Sequence, residues 1–296
     1  MSNGTFSKPP LPLPDQIALL KSRGMQVVDE PMAANVLLQV NYYRFSGYAL
    51  HFEVFQNGQR THQFKPGTRF EDVVNLYEFD TRLRVLLFQY IEPVEVGFRA
   101  ILCHELSILT NDPHWYLNQN MYDGSFHFGR FWDDCEAEYN RRTDEVFLQS
   151  YRANYNHPPL PPAWMMSEIL SIGRWSKVFQ HLADSNAKKA VASHFNAKAH
   201  YLQSWIHALS VLRNLCAHHS RIWNRNFTIK PTLPSALMTK VLSNTKLAAF
   251  VVVLESLLDP LGKKIAFQSD WNTLLAAFPR IPLDKMGFNP QHSSGK

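Results

Sequence analysis

Residues 70–109, FEDVVNLYEFDTRLRVLLFQYIEPVEVGFRAILCHELSIL, leave little choice of architecture. Phe70, Val73, Val74 and Tyr77, then Leu83, Leu86, Leu87 and Tyr90, recur every three or four residues. That spacing puts them along one side of a helix. A long amphipathic helix must bury its apolar stripe, and other helices are the nearest partners here. Pro93 lacks the backbone N–H that an interior turn needs, so it is expected to kink or divide the run.

The rest of the chain points the same way. Helices are expected at 15–24, 31–40, within 126–155, and at about 162–173, 175–183, 187–195, 199–224, 234–242, 244–258 and 260–278. Asp15 is placed to cap the first and Gly24 to end it. Strand signals are weak except around NYYRFSGYALHFEVFQNGQRTHQF, where Gln56-Asn57-Gly58 reads as a tight turn and a small hairpin. The segment HPPLPPAW reads as a linker, with proline at 161–162 suited to a helix start. The expected fold class is all-α, with a small irregular or β insertion near 50–65. Residues 1–69 form an N-terminal arm and helical, aromatic extension, and 70–296 form the helical core.

Twenty Phe and seven Trp in 296 residues supply bulky core material. Only Cys103, Cys135 and Cys216 are present, too few and too scattered for a disulfide framework or a zinc ribbon. MSNGTFSKPPLPLPD has no apolar signal core, and LAAFVVVLESLL is too short to span a bilayer. A cytoplasmic protein without membrane contact is expected.

The net charge is +5, but its distribution is more informative. From Ser185 to Leu254 there is no Asp or Glu, while Lys188, Lys189, Lys198, Arg213, Arg221, Arg225, Lys230, Lys240 and Lys246 lie there with five histidines. Such segregation favours a phosphate-bearing partner. The densest part is RNLCAHHSRIWNR, Arg213 to Arg225. Continued as a helix over 199–224, it would put Asn214, His218, Arg221 and Arg225 on one polar stripe, with Arg213 on its flank. His219 would point about 100° away from His218.

That inventory suits RNA phosphate chemistry. Arginine forks phosphate oxygens and stays charged. An imidazole moves protons near neutrality. Asn214 can hold a ribose hydroxyl or orient the imidazole. Base-assisted attack by the 2′-hydroxyl, with arginine stabilising the phosphorane, needs no metal or other cofactor, and the run has no HExxH-type ligand spacing. Acid and base roles are easier to fill with two imidazoles, which a symmetric homodimer would supply.

The Arg-x4-His spelling alone carries little, because it also occurs at Arg99–His104 and Arg152–His157. The setting of Arg213–His218 is what distinguishes it. RNLCAHHSRIWNR resembles the Arg-Asn-x-x-x-His motif of HEPN-fold ribonucleases. Its longer form is similar to the Abi-like abortive-infection proteins of bacteria, AbiD/AbiF type. KPPLPLPDQIALLKSRGM, NYYRFSGYAL, FEDVVNLYEFDTRLR and PPAWMMSEILSIGRWSKVF match in order, so the likeness covers nearly the whole chain. The resemblance implies a HEPN helical bundle in the middle and C-terminal parts. It implies a metal-independent endoribonuclease toxin of phage defence, an RNA substrate, a site formed between two copies, and an RNA or protein antitoxin. Arg213, Asn214 and His218 would carry catalysis. Ser220 stands where some such toxins have a tyrosine that is modified, so no modification is expected there.

Arg221, Arg225 and His219 are candidate RNA-binding residues, although His219 also suits a structural role. Glu168 could orient Arg213 or His218, or pair with an arginine for the fold. Glu92, Glu95 and Arg99 have the spacing of an intrahelical ion pair. Tyr42, Tyr43, Arg44 and Tyr48 suit packing between helices, with base stacking the alternative. The competing functions are a non-catalytic RNA-binding module and a phage-sensing interaction protein.

Overall fold

The computed structural model describes residue 5 and residues 9–289, and they are predominantly helical. The chain divides into two compact units, Met1–Arg82 and Leu83–Lys296.

The first unit begins with α1 (Leu13–Ser22), α2 (Glu30–Val40) and α3 (Tyr42–Ala49). Pro12 holds the N-cap position of α1, and Asp15 lies inside its first turn. Arg23 is the C-cap, and Gly24 follows at φ +90°. The Gly24 N–H donates to the Lys21 carbonyl and the Met25 N–H to the Leu20 carbonyl. This is a Schellman ending with glycine at its left-handed position. Asp29 caps α2 by accepting from the Met32 N–H at 2.8 Å, and Asn41 caps α3 by accepting from the Tyr43 N–H at 2.7 Å.

The expected hairpin is present as β1 (Glu53–Gln56) and β2 (Gln59–Phe64). Gln56 pairs with Gln59, and the two loop residues Asn57 and Gly58 have φ +50° and +77°. Positive φ at both central positions is what a type I′ turn requires, and Asn-Gly adopts it readily. Arg60 grips the buried Glu53 through two hydrogen bonds, of 2.8 and 2.6 Å. Packing accounts for most of the tyrosine-rich segment. Phe45 stacks on Phe70, Tyr48 donates to Asp80 at 2.7 Å, and Arg44 lies over the Tyr77 ring. Tyr43 alone of the three tyrosines stays open to solvent.

The run from Phe70 is one helix, α4 (Phe70–Thr110), and Pro93 does not divide it. A missing hydrogen bond at one turn is outweighed by burial along the rest. In the second unit, Val94, Phe98, Leu102 and Leu106 of α4 are buried. The expected helical stretch 126–155 is broken into α5 (Phe128–Arg141) and α6 (Val146–Asn154). Then come α7 (Ala163–Ile169), α8 (Ile172–His181), α9 (Ser185–Ser193) and α10 (Ala199–Ala217). After α10 lie the short α11 (Ser235–Met238), α12 (Leu247–Leu258) and α13 (Lys264–Ala277). Among these, α10 packs against α8, α9 and α12. Nearly every residue of α12 is buried, so it serves as a central post.

HPPLPPAW is not a loose linker. Leu160, Pro161, Pro162 and Ala163 are buried. Tyr116 donates to the Pro161 carbonyl at 2.6 Å, and Tyr151 donates to the Pro158 and Leu160 carbonyls at 2.9 and 3.0 Å. Prolines offer no N–H, so their carbonyls are the groups that need partners when such a strap is buried.

Candidate active site

The motif lies at the C-terminal end of α10, in the second unit. Leu202, Ile206, Leu209, Leu212 and Cys216 bury one side of the helix. Arg213, half-buried, and Asn214, exposed, sit on its last turn. The helix does not run to residue 224 as its periodicity predicts. It ends at Ala217 with His218 as C-cap, φ −91° and ψ 16°. His219 follows at φ +55°. The His219 N–H donates to the Cys216 carbonyl at 3.0 Å and the Ser220 N–H to the Leu215 carbonyl at 2.9 Å. This is the same Schellman ending as at Gly24, with histidine in the place glycine usually takes. A left-handed residue with a β-carbon costs ~1–2 kcal/mol, which the two satisfied carbonyls and the burial beyond help to offset. Ile222 and Trp223 are fully buried beyond the turn and fix its exit.

This ending revises the expected polar stripe. Asn214 and His218 remain one turn apart and exposed, joined through the His218 N–H to the Asn214 carbonyl at 2.9 Å. Arg221 and Arg225 are past the cap and off that helical line. Arg225 donates to the Arg221 carbonyl at 3.3 Å. Lys246 donates to Asn224 at 3.0 Å, and burial, then Lys285 and Arg221, lower the Lys246 pKa. Arg221 and Lys285 are thus close enough to Lys246 for their charges to be felt there, while Lys285 also pairs with Asp284 at 3.2 Å. His219 is exposed and adjacent to His218.

Arg213 is held from α4. Its Nε is 3.5 Å from a Glu95 carboxylate oxygen, and its guanidinium lies 5.2 Å from the centre of the Phe88 ring. Glu95 is only 13% exposed, which makes this more than a solvated surface pair. Glu168 does not take this position. It is exposed and accepts from Ser167 at 3.4 Å, with no hydrogen bond or ion pair to Arg213 or His218. The expected Glu95–Arg99 ion pair is absent as well. Arg99 instead donates to the Ser167 carbonyl at 2.6 Å, tying α4 to α7. Phe88 and Glu95 are seven residues apart, hence on one face of α4. That much is readable from sequence, but their partner on α10 is not.

Among the described residues, no group of three or more His, Cys, Asp and Glu is placed to hold a metal ion. No helix among them is long and apolar enough to cross a membrane.

The profile of the Abi-like protein family matches residues 35–224, more than half of the chain. The chain belongs to the Abi-like protein family. The match takes in Arg213, Asn214 and His218 and stops at Asn224, just past the Schellman turn. Family membership points to abortive infection, the defence in which an infected bacterium arrests its own growth. No curated protein and no solved structure matches this Abi-like chain.

Proposed function

We propose that this Abi-like protein is an endoribonuclease of the HEPN type, of the AbiD/AbiF group, that arrests growth during phage infection. The observation that carries the reading is the exposed pair Asn214 and His218, set one turn apart at a fixed helix end, with Arg213 beside them. His218 acts as proton-transfer group toward the ribose 2′-hydroxyl or the leaving 5′-oxygen. Arg213 stabilises charge on the phosphorane, and Asn214 orients the ribose or the imidazole. The chemistry asks no metal of the site. Two copies, each bringing its α10 end, would supply one imidazole as base and the other as acid. Arg221 and Lys246 would hold RNA backbone nearby, with His219 and Arg225 as further contacts. The protein would act in the cytoplasm, restrained by an RNA or protein antitoxin.

The test is RNA cleavage by purified protein in EDTA, wild type against His218→Ala. Cleavage giving 2′,3′-cyclic phosphate ends, lost in the variant, supports the reading. No cleavage by either protein, with salt-dependent RNA binding by both, supports the non-catalytic RNA-binding alternative that the charges of Arg221 and Lys246 favour.

A further inference from the structure

A second cluster of charge lies away from the motif, around a cavity of about 200 Å³ between α5, α8 and the turn at 123–127. Its apolar lining is Phe126, which stacks on Tyr122, and Phe131, and Arg130, Arg174 and Lys177 line it with Asp134, the one carboxylate of the lining. Asp134 is engaged by Arg174. Arg130 and Lys177 have no ion-pair partner among the described residues, and both are exposed at the mouth. His181 forms the far edge. Its Nδ1 is held 3.1 Å from Asp123, which also accepts from the Ser125 hydroxyl and N–H. The His181 ring leans on Phe126, with centroids 5.4 Å apart.

Arg174 is answered by Asp134 and His181 by Asp123, which leaves two cations of the lining, Arg130 and Lys177, beside an aromatic cavity with no carboxylate paired to them among the described residues. Arg130 is close enough to Arg174 that, after burial, its charge is the next influence lowering the Arg174 pKa. An anion at the mouth would relieve that repulsion and give Arg130 and Lys177 a partner. The apolar walls behind would take a flat ring.

We propose that this cavity binds a nucleoside phosphate, with the base against Phe126 and Phe131 and the phosphate held by Arg130, Lys177 and the inner Arg174. The ligand is either a free nucleotide or the 5′-terminal nucleotide of a strand. The site is independent of the ribonuclease reading, since it shares no residue with the motif. It is placed to influence the motif helix all the same. Arg174, Lys177 and His181 belong to α8, which packs along α10, and Lys177 is near enough to His207 of α10 to help lower its pKa.

Calorimetric titration of the full-length wild-type protein tests the proposal. The probes are AMP, ATP, adenosine, inorganic phosphate, and 2′-deoxy trinucleotides with and without a 5′-phosphate, which lack the hydroxyl needed for self-cleavage. AMP, ATP or the 5′-phosphorylated trinucleotide should bind at least about tenfold more tightly than adenosine or inorganic phosphate, and Arg130→Gln and Lys177→Gln should each weaken that binding about tenfold. Both side chains are exposed, so an unchanged thermal midpoint checks the fold of the variants. Preference for AMP or ATP identifies a free nucleotide, and preference for the phosphorylated trinucleotide identifies a strand end. The proposal is overturned if no probe binds at millimolar concentration. It is overturned equally if inorganic phosphate binds as well as AMP, or if the Arg130→Gln/Lys177→Gln double variant binds like wild type.

Discussion

Glu95 of α4 meets Arg213 of α10 at 3.5 Å, with the guanidinium laid over Phe88. The motif arginine is thus held in place by the fold itself. A carboxylate this sheltered gives the pair more weight than an exposed one, and a double-mutant cycle of Glu95→Gln and Arg213→Gln should show a coupling of ~1 kcal/mol in unfolding free energy. Zero coupling would mean that Arg213 is not held by Glu95 in solution. Arg213→Lys should not sustain the proposed cleavage, because an ammonium cannot fork a phosphate.

His218 is exposed at a C-cap and contributes little to the core. His218→Ala should leave the thermal midpoint within a few degrees and lower RNA cleavage by ~10²–10⁴. Retained cleavage with an intact fold would remove His218 from the chemistry.

His219 answers to a different requirement. At φ +55°, glycine relieves a cost of ~1–2 kcal/mol but adds freedom to the unfolded chain worth ~0.4–1 kcal/mol. With the imidazole gone from both, His219→Gly should therefore be at least roughly 0.5–1 kcal/mol more stable than His219→Val. A β-branched residue resists that conformation. Denaturant midpoints of the two variants decide the matter, and loss of RNA affinity in His219→Gly would mark the imidazole as an RNA contact.

His207, half-way along α10, has its pKa lowered, first by burial and then by Lys177. The folded protein therefore takes up a proton there less readily than the unfolded chain. As pH falls below the ordinary histidine value of ~6.5, the unfolded state gains protons first and stability drops. Urea midpoints should decline from pH 7.5 to 5.5, and the decline should be shallower in His207→Gln. A slope unaltered by that substitution would assign the effect elsewhere, with His114, also lowered by burial, the next residue to test.

The buried proline strap gives a further measurement. Tyr116→Phe removes the hydrogen bond to the Pro161 carbonyl inside the core. It should cost ~1–3 kcal/mol, because the carbonyl is left without a partner. A loss near zero would show that the strap does not depend on that bond.

Much of this was legible in the sequence because it depends on local chemistry. The spacing of Phe70, Val73 and Tyr77 announced α4, and Asn57-Gly58 announced the hairpin. The end of α10 was not legible, for a specific reason. Leu212, Cys216 and Trp223 continue the helical spacing past the true end, and the residue that turns the chain is a histidine rather than the glycine that ends α1. Sequence spacing assigns Glu95 to Arg99 because it reports neighbours on one helix and is silent on what another helix brings. HPPLPPAW read as a linker since prolines mark chain reversals wherever they occur, buried or not. Spelling and surroundings together single out Arg213, Asn214 and His218, and the structure adds Glu95 and Phe88 beside Arg213.

The two adjacent histidines depend on one backbone torsion. Because residue 219 turns left-handed, His218 closes the helix while Ile222 and Trp223 drop into the core behind it. A right-handed residue there would continue the spiral and carry those two anchors round to other faces. The direction of the chain from 219 onward is thus set by a single hinge of fixed handedness, and the buried tryptophan acts as the latch that keeps it closed.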